Sequence, residues 1–359
     1  MPVSTCFRTP AAAAVLLAAS AIFVAACGSS GSSTPGSAGG ATTPAGSGGG
    51  AGLANSTPAT SPSSGEPGIV AVTTAGALVR LDPSTGSATQ TLVPSGVLGD
   101  EVSVSPDGAT VYFAVSQGCK AAIESVPIGG GSPTVIGQGE LPAISPDGSK
   151  LAFAIEPSLT QGCVPNTSNL AGLYKLVIRA VSSGAEQVLP LPPQVRRGGL
   201  PSPISHLSWA ADSTRLAVSA SAVADNEGWN IWIVDTSVAK YYVQPGSGVT
   251  FVPVTGSPTP QRSYLREGIF LPDGNLFISR ACCGGVPIHN TSRLMWVVDL
   301  SGNLVHQVAI GFANLDHYSL ATDASGQWLL YLAGHDLYVS RGGNRPSLLG
   351  SGFIAATWQ

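Results

Sequence analysis

The sequence predicts an all-β protein, a six-bladed β-propeller with four-stranded antiparallel blades, and three observations carry that expectation. A Ser-Pro-Asp-Gly turn recurs inside one hydrophobic frame. A strand, a short polar turn and another strand follow each copy. The last strand-like segment of the chain supplies the strand that the first blade lacks.

The turn stands in EVSVSPDGATVYFAV (101–115) and LPAISPDGSKLAFAI (141–155), with worn copies in LSWAADSTRLAV (207–218), GIFLPDGNLFIS (268–279) and SLATDASGQWLLYL (319–332). Proline presets φ and glycine takes the positive φ of a tight turn, so apolar runs on either side form a hairpin. The following signature is LVIRAVSSGAEQVLPL (176–191), IWIVDTSVAKYYV (231–243) and LMWVVDLSGNLVHQVAI (294–310). Together the two give four strands per repeat of roughly 40 to 60 residues, the size of a propeller blade.

Inner strands near Glu101, Leu141, Ile204, Gly268 and Leu315 make five complete blades. The first strands of the folded part, IVAVTTAGALVRLDPSTGSATQTLV (69–93), have no such hairpin before them. FIAATW (353–358) ends where a turn would begin, with Trp358 in the register of Trp209, and is expected to complete the first blade. Six blades follow, with seven the rival count. Closure of this kind removes the open edges that invite aggregation.

Composition agrees with an all-β fold and narrows the function. The chain has 359 residues, 43% of them apolar, with 45 Gly and 28 Pro, and the folded part shows no helical periodicity. A net charge of −4 with no run of like charge makes nucleic acid a poor partner.

Residues 1–26 read as a secretion signal, with Arg8 followed by an apolar, Ala-rich stretch too short for a comfortable membrane span. It ends in Val24-Ala25-Ala26-Cys27, which resembles the lipobox of bacterial lipoproteins. The resemblance implies that Cys27 becomes the mature N-terminus and carries acyl chains, palmitate among them, holding the protein on the outer side of the cell membrane without crossing it. Two chains suffice for stable anchoring where one does not. Residues 27–66 are almost wholly Gly, Ser, Thr, Ala and Pro, a composition that cannot bury enough surface to fold. As a flexible tether this segment spans roughly 35 Å. The propeller is then residues 67–359.

Four cysteines remain after Cys6 leaves with the signal and Cys27 is lipidated. Three pairings are open to them. Cys119 and Cys163 each follow the second strand of neighbouring blades, so a bridge between them is the natural one. Cys282 and Cys283 are adjacent; they form either a strained vicinal disulfide, as platform, switch or staple, or two free thiols.

Within a blade the first-to-second and third-to-fourth turns share one face. These are expected to be short, and the connections of the other face long. Binding residues concentrate on variable loops held by a rigid scaffold. The long-loop face carries Arg196, Arg197, Arg262, Arg266, Arg280 and Arg293 beside Trp229 and Tyr264, an Arg and aromatic mixture found in protein interfaces.

Counting four back from the turn gives Glu101, His206 and Glu267 at the start of three inner strands, ringing the axial channel on the long-loop face, with Asp100, Glu140, Asp316 and His317 close by. Carboxylates and imidazoles around an axis suit acid–base chemistry or an axial cation; the bland alternative is a solvated channel mouth. No cofactor and no zinc-type ligand spacing is expected.

The strand–Ser-Pro-Asp-Gly–strand units, clean at 105–108 and 145–148, with IWIVD (231–235) and WVVD (296–299), resemble the WD40-like repeats of the TolB propeller family over most of residues 69–358. The resemblance implies a six-bladed extracytoplasmic interaction platform. The chain departs from that family in its tether and in lacking the small α/β domain that precedes the TolB ring. Related repeats also form the lid of prolyl-oligopeptidase-type enzymes, but no hydrolase domain with a Gly-x-Ser-x-Gly elbow follows here. The expected function is therefore a non-catalytic module that binds an envelope protein, a glycan or a small ligand. The alternative is a propeller enzyme, a glycan hydrolase, lyase or lactonase, working at the channel mouth through Glu101, Glu267, His206 or His317.

Overall fold

In the computed structural model the residues described are 67–155, 159–160, 164–165, 175–190, 204–222, 228–237, 249–251, 265–280, 294–301, 303–309, 317–341 and 346–359. All belong to the compact unit Ala59–Gln359. They form six four-stranded antiparallel sheets.

Blade 1 contains β1 (Ile69–Thr73), β2 (Leu78–Leu81) and β3 (Ala88–Val93). Blade 2 is β4 (Val97–Val104), β5 (Thr110–Gln117), β6 (Lys120–Pro127) and β7 (Thr134–Gln138). Blade 3 is β8 (Glu140–Ile144), β9 (Lys150–Ile155), β12 (Lys175–Ala180) and β13 (Glu186–Pro190), with a two-stranded insertion, β10 (Leu159–Thr160) and β11 (Val164–Pro165), between its second and third strands. Blade 4 is β14 (Ile204–Trp209), β15 (Arg215–Ala222), β16 (Gly228–Asp235) and β17 (Val249–Phe251). Blade 5 is β18 (Leu265–Phe270), β19 (Leu276–Arg280), β20 (Leu294–Val298) and β21 (Leu304–Ala309). Blade 6 is β22 (His317–Thr322), β23 (Trp328–Ala333), β24 (Asp336–Arg341) and β25 (Ser347–Ser351). The last strand, β26 (Phe353–Trp358), returns to blade 1 and pairs with β1, Ile69 opposite Trp358.

Ring closure therefore occurs as the sequence predicts. The N–H of Gln359 donates to the carbonyl of Gly68 at 2.7 Å, the rung that Ser105 makes with Thr110 and Ser145 with Lys150 in complete hairpins. Strands β26 and β14 also share one alternation of buried and half-buried residues ending in a buried Trp.

The core is divided. Six apolar clusters occur, each drawn from two neighbouring blades, and the one joining blades 6 and 1 holds Ile69, Ala71, Leu330, Leu332, Leu337, Phe353 and Trp358. A blade thus buries both its faces, which is why IVAVT, KLAFAI and WLLYLA read as continuous apolar runs and not as strict alternation. Among the described residues the large apolar side chains turned to solvent are mostly on the outermost strands, Val135, Val188, Leu304, Val305 and Leu348, with Val181 in the turn after β12.

The Pro-Asp-Gly turns are held by their aspartates. Asp147 accepts hydrogen bonds from the Ser145 hydroxyl at 2.6 Å and the Ser149 N–H at 2.9 Å, and Gly148 sits at φ 71°. The Ser145 hydroxyl leads the interactions that hold the Asp147 carboxyl down at about 2. The worn copies keep the device with other residues: Asp212 accepts from Thr214, and Asp323 from Ser325 and Trp328.

Two expectations need adjustment. The outer strand of blade 4 is Val249–Phe251, Trp232 facing Phe251, and not Tyr241–Val243, so this blade has a long third-to-fourth connection. Both triplets are β-branched and aromatic, and propensity cannot separate them. The connections on the opposite face are long only from blade 3 to the start of blade 6, at 156–174, 191–203, 223–227, 252–264, 281–293 and 310–316. In blades 1, 2 and 6 their counterparts shrink to 74–77, 118–119 and 334–335 within blades, and to 94–96, 139 and 352 between blades.

Candidate functional site

Each inner strand is the edge strand of its blade and turns unpaired backbone groups toward the axis. In all six blades its register against the second strand shifts once near its start. A bulge re-aims side chains and leaves backbone groups outside the ladder. The fourth residue before the turn lies at or next to this bulge: Ala355, Glu101, Leu141, His206, Glu267 and Ser319 in blades 1 to 6. Leu141 and Ser319 carry φ values of 56° and 52° there.

The next residue's N–H must find a partner within the ring. In blades 4, 5, 6 and 1 it does so on a side chain from another blade. Leu207 donates to Glu101 Oε2 at 3.2 Å, Gly268 to Ser219 Oγ at 3.1 Å, Leu320 to Glu267 Oε2 at 3.2 Å and Ala356 to Ser319 Oγ at 3.0 Å. In blade 3 that residue is Pro142, which has no N–H to give. The Glu101 carboxylate accordingly reaches past blade 3 to blade 4, where its Oε1 also lies 3.6 Å from His206 Nδ1. A second tier sits two residues nearer the turns: Ser103 accepts from Ile144, Ser208 from Phe270, and the Trp209 indole donates to the Ala143 carbonyl at 2.9 Å.

Glu101, His206 and Glu267 are thus 8%, 5% and 5% exposed, buried groups of the ring and not open to solvent at a channel mouth. Glu140 is equally buried. Burial pushes the His206 pKa down to about 4, so its imidazole is neutral at pH 7. Ser279, opposite Glu267 as Ser219 is opposite His206, leaves its buried hydroxyl without a partner among the described residues. The N–H that the equivalent bond would use, that of Leu320, is held by Glu267.

A cavity of about 640 Å³ lies between the six inner strands. Glu101, His206 and Ser319 line it at the ring. Pro106, Pro146, Pro272, Asp323, Ser325, Pro67 and Gln359 line it at the hairpin turns, so it belongs to the short-turn end of the axis, opposite the long loops. Sequence reasoning found the ring register by counting from the turns but placed the channel mouth at the long-loop end, whereas the cavity extends to the short hairpin turns. Among the described residues no group of three His, Cys, Asp or Glu side chains could hold a metal ion.

Of the predicted binding face, Arg196, Arg197, Arg262, Tyr264 and Arg293 lie outside the described residues, as do Cys27, Cys163, Cys282 and Cys283 and the neighbour Asp316. Trp229, Arg266, Arg280 and His317 are placed by backbone alone. Each falls at the strand end that adjoins a long connection. Cys119 is half-buried in the two-residue turn between β5 and β6.

A closed six-bladed ring of four-stranded blades, with an inward polar girdle, defines a β-propeller of the TolB-like fold. No family model matches the sequence, and no curated protein matches it either. Among solved structures, TolB from Acinetobacter baumannii is similar at 15% identity and a TM-score of 0.56, over 81% of this chain and 65% of that one. A putative TolB from Agrobacterium tumefaciens is similar at 13% identity and a TM-score of 0.50, over 80% and 90% of the two chains. Hydrazine synthase from Kuenenia stuttgartiensis is a looser match, 13% identical with a TM-score of 0.46 over 80% of each chain. The chain therefore spans about two thirds of the Acinetobacter protein.

Proposed function

We propose that the protein is a lipid-anchored, extracytoplasmic binding module of the cell envelope, non-catalytic, whose long-loop face grips an envelope protein or a glycan. The observation that carries this reading is the uneven distribution of connections: on the face opposite the hairpin turns, a rigid ring carries long loops only around blades 3 to 5, one localised surface. The TolB-like fold supports a platform role by analogy alone. Anchoring rests on the Val24-Ala25-Ala26-Cys27 motif; metabolic incorporation of a palmitate analogue, lost in Cys27→Ala, is the expected result. A Cys119–Cys163 bridge belongs to the same reading, since each cysteine follows the second strand of one of two neighbouring blades.

The deciding experiment is crosslinking in intact cells with the full chain as bait, beside a bait with Arg196, Arg197, Arg262 and Arg266 changed to Ala. A discrete envelope protein or glycan captured only by the unmutated bait is expected. Equal recovery by both would discard the long-loop face. The enzyme alternative has one observation in its favour, the meeting of Glu101 with His206 beside a cavity.

A further inference from the structure

The axial cavity has a chemical bias that the proposed loop face does not share. Most of its donors are taken, the buried Trp358 indole N–H excepted. The N–H groups of Ile144, Leu207, Gly268, Phe270, Leu320 and Ala356 all bond to side-chain acceptors, and the Trp209 indole bonds to Ala143. At the rim the hydroxyls of Ser105, Ser145 and Ser325 donate to Asp107, Asp147 and Asp323. The ionisable lining groups are Glu101, Asp323 and a His206 neutral at pH 7, with no Lys or Arg among them. Between ring and rim the half-buried apolar lining residues are Val104, Ile144, Leu271 and Ala321, while Leu207, Ile269, Phe270 and Leu320 pack into the seams between blades.

A site rich in acceptors, poor in donors and negative at its inner end repels anions and gives a neutral acceptor nothing to bind. It matches a group that brings its own donors and a positive charge on an apolar stem. We propose that the cavity binds an organic ammonium group, a protonated amine on a short alkyl stem, with the nitrogen at the Glu101 carboxylate and the stem against Val104, Ile144 and Leu271. The same chemistry comes from a free alkylamine or from a lysine side chain of a docked protein.

The test is calorimetric titration of the full chain at pH 7 with n-butylammonium chloride, with n-butanol as the neutral isostere and sodium chloride at matched ionic strength. Saturable binding of the ammonium, at least about tenfold stronger than that of the alcohol, is expected. Glu101→Gln keeps an acceptor for the Leu207 N–H but removes the charge, and should abolish the preference. Equal binding of amine and alcohol, no binding of the amine, or an undiminished preference in a folded Glu101→Gln protein would overturn the proposal. If that variant fails to fold, the comparison on the unmutated chain still decides. Tighter binding of Nα-acetyl-lysine methylamide than of n-butylammonium assigns the site to a partner's lysine; the reverse order assigns it to a free amine.

Discussion

His206 shows what burial does to a titratable group at the axis. Its pKa falls from 6.5 in the unfolded chain to about 4 in the folded one. Between those values the unfolded state binds the extra proton, so stability attributable to this residue is intact above pH 6.5, declines as pH falls toward 4 and is flat below. His206→Gln should lose less stability than the parent across that window, as read from urea midpoints at pH 7 and pH 4.5. Two tryptophans in the same register make a sharper comparison. The Trp209 indole donates to Ala143, whereas the Trp358 indole is buried without a partner among the described residues, its ring edge-on to Trp328 at 5.9 Å. Trp209→Phe should cost about 1–2 kcal/mol more than Trp358→Phe in denaturant unfolding, because it alone leaves a buried carbonyl unbonded. Sequence reasoning aligned these two residues, and it found Glu101, His206 and Glu267 by counting back from the turn. It did not see that Glu101 meets His206, because that meeting depends on the bulge and on the missing N–H of Pro142, neither of which is written in a strand's apolar pattern.

At the scale of the element, the hairpins and outer turns follow local chemistry, which is why they were legible. Aspartates that bond the turn backbone and glycines at positive φ act over four or five residues. Gly86, at φ 68° in the turn between β2 and β3, shows where local and long-range demands coincide. A Cβ at this position would run into the Leu349 carbonyl of blade 6. Gly86→Ala should therefore destabilise by about 1–3 kcal/mol, combining backbone strain with a clash at the seam between the first and last blades, measurable as a lowered Tm. The fourth strand of blade 4 was illegible for the opposite reason. A three-residue outer strand contributes little burial, so nothing in its composition marks Val249–Phe251 over its neighbours.

For the whole molecule, stability is distributed over six seams, one per pair of adjacent blades. Each seam depends on both its blades, so loss of any one inner strand opens two of them. Truncation after Gly352 removes β26 and with it Phe353, Ala355, Ala356 and Trp358 from the seams on either side of blade 1. The truncated protein is expected to unfold at lower denaturant with a broadened transition, and to run as larger species on size exclusion, since β1 becomes a free edge. A truncation that stayed monomeric with an unchanged midpoint would show that β26 is dispensable. The blade count was readable from the sequence because each repeat announces itself. The placement of the cavity toward the short-turn end was not, because it follows from how six strands converge.

The closing contact has a temporal side as well. The strand that completes the first blade is made after every other strand of the ring, and Gln359 just beyond it bonds Gly68. Until β26 has been made β1 waits without its partner, and the ring cannot lock. Any factor that holds unfinished chains open would find, in the unclosed edge of blade 1, a substrate available until β26 pairs with β1 and gone once it has.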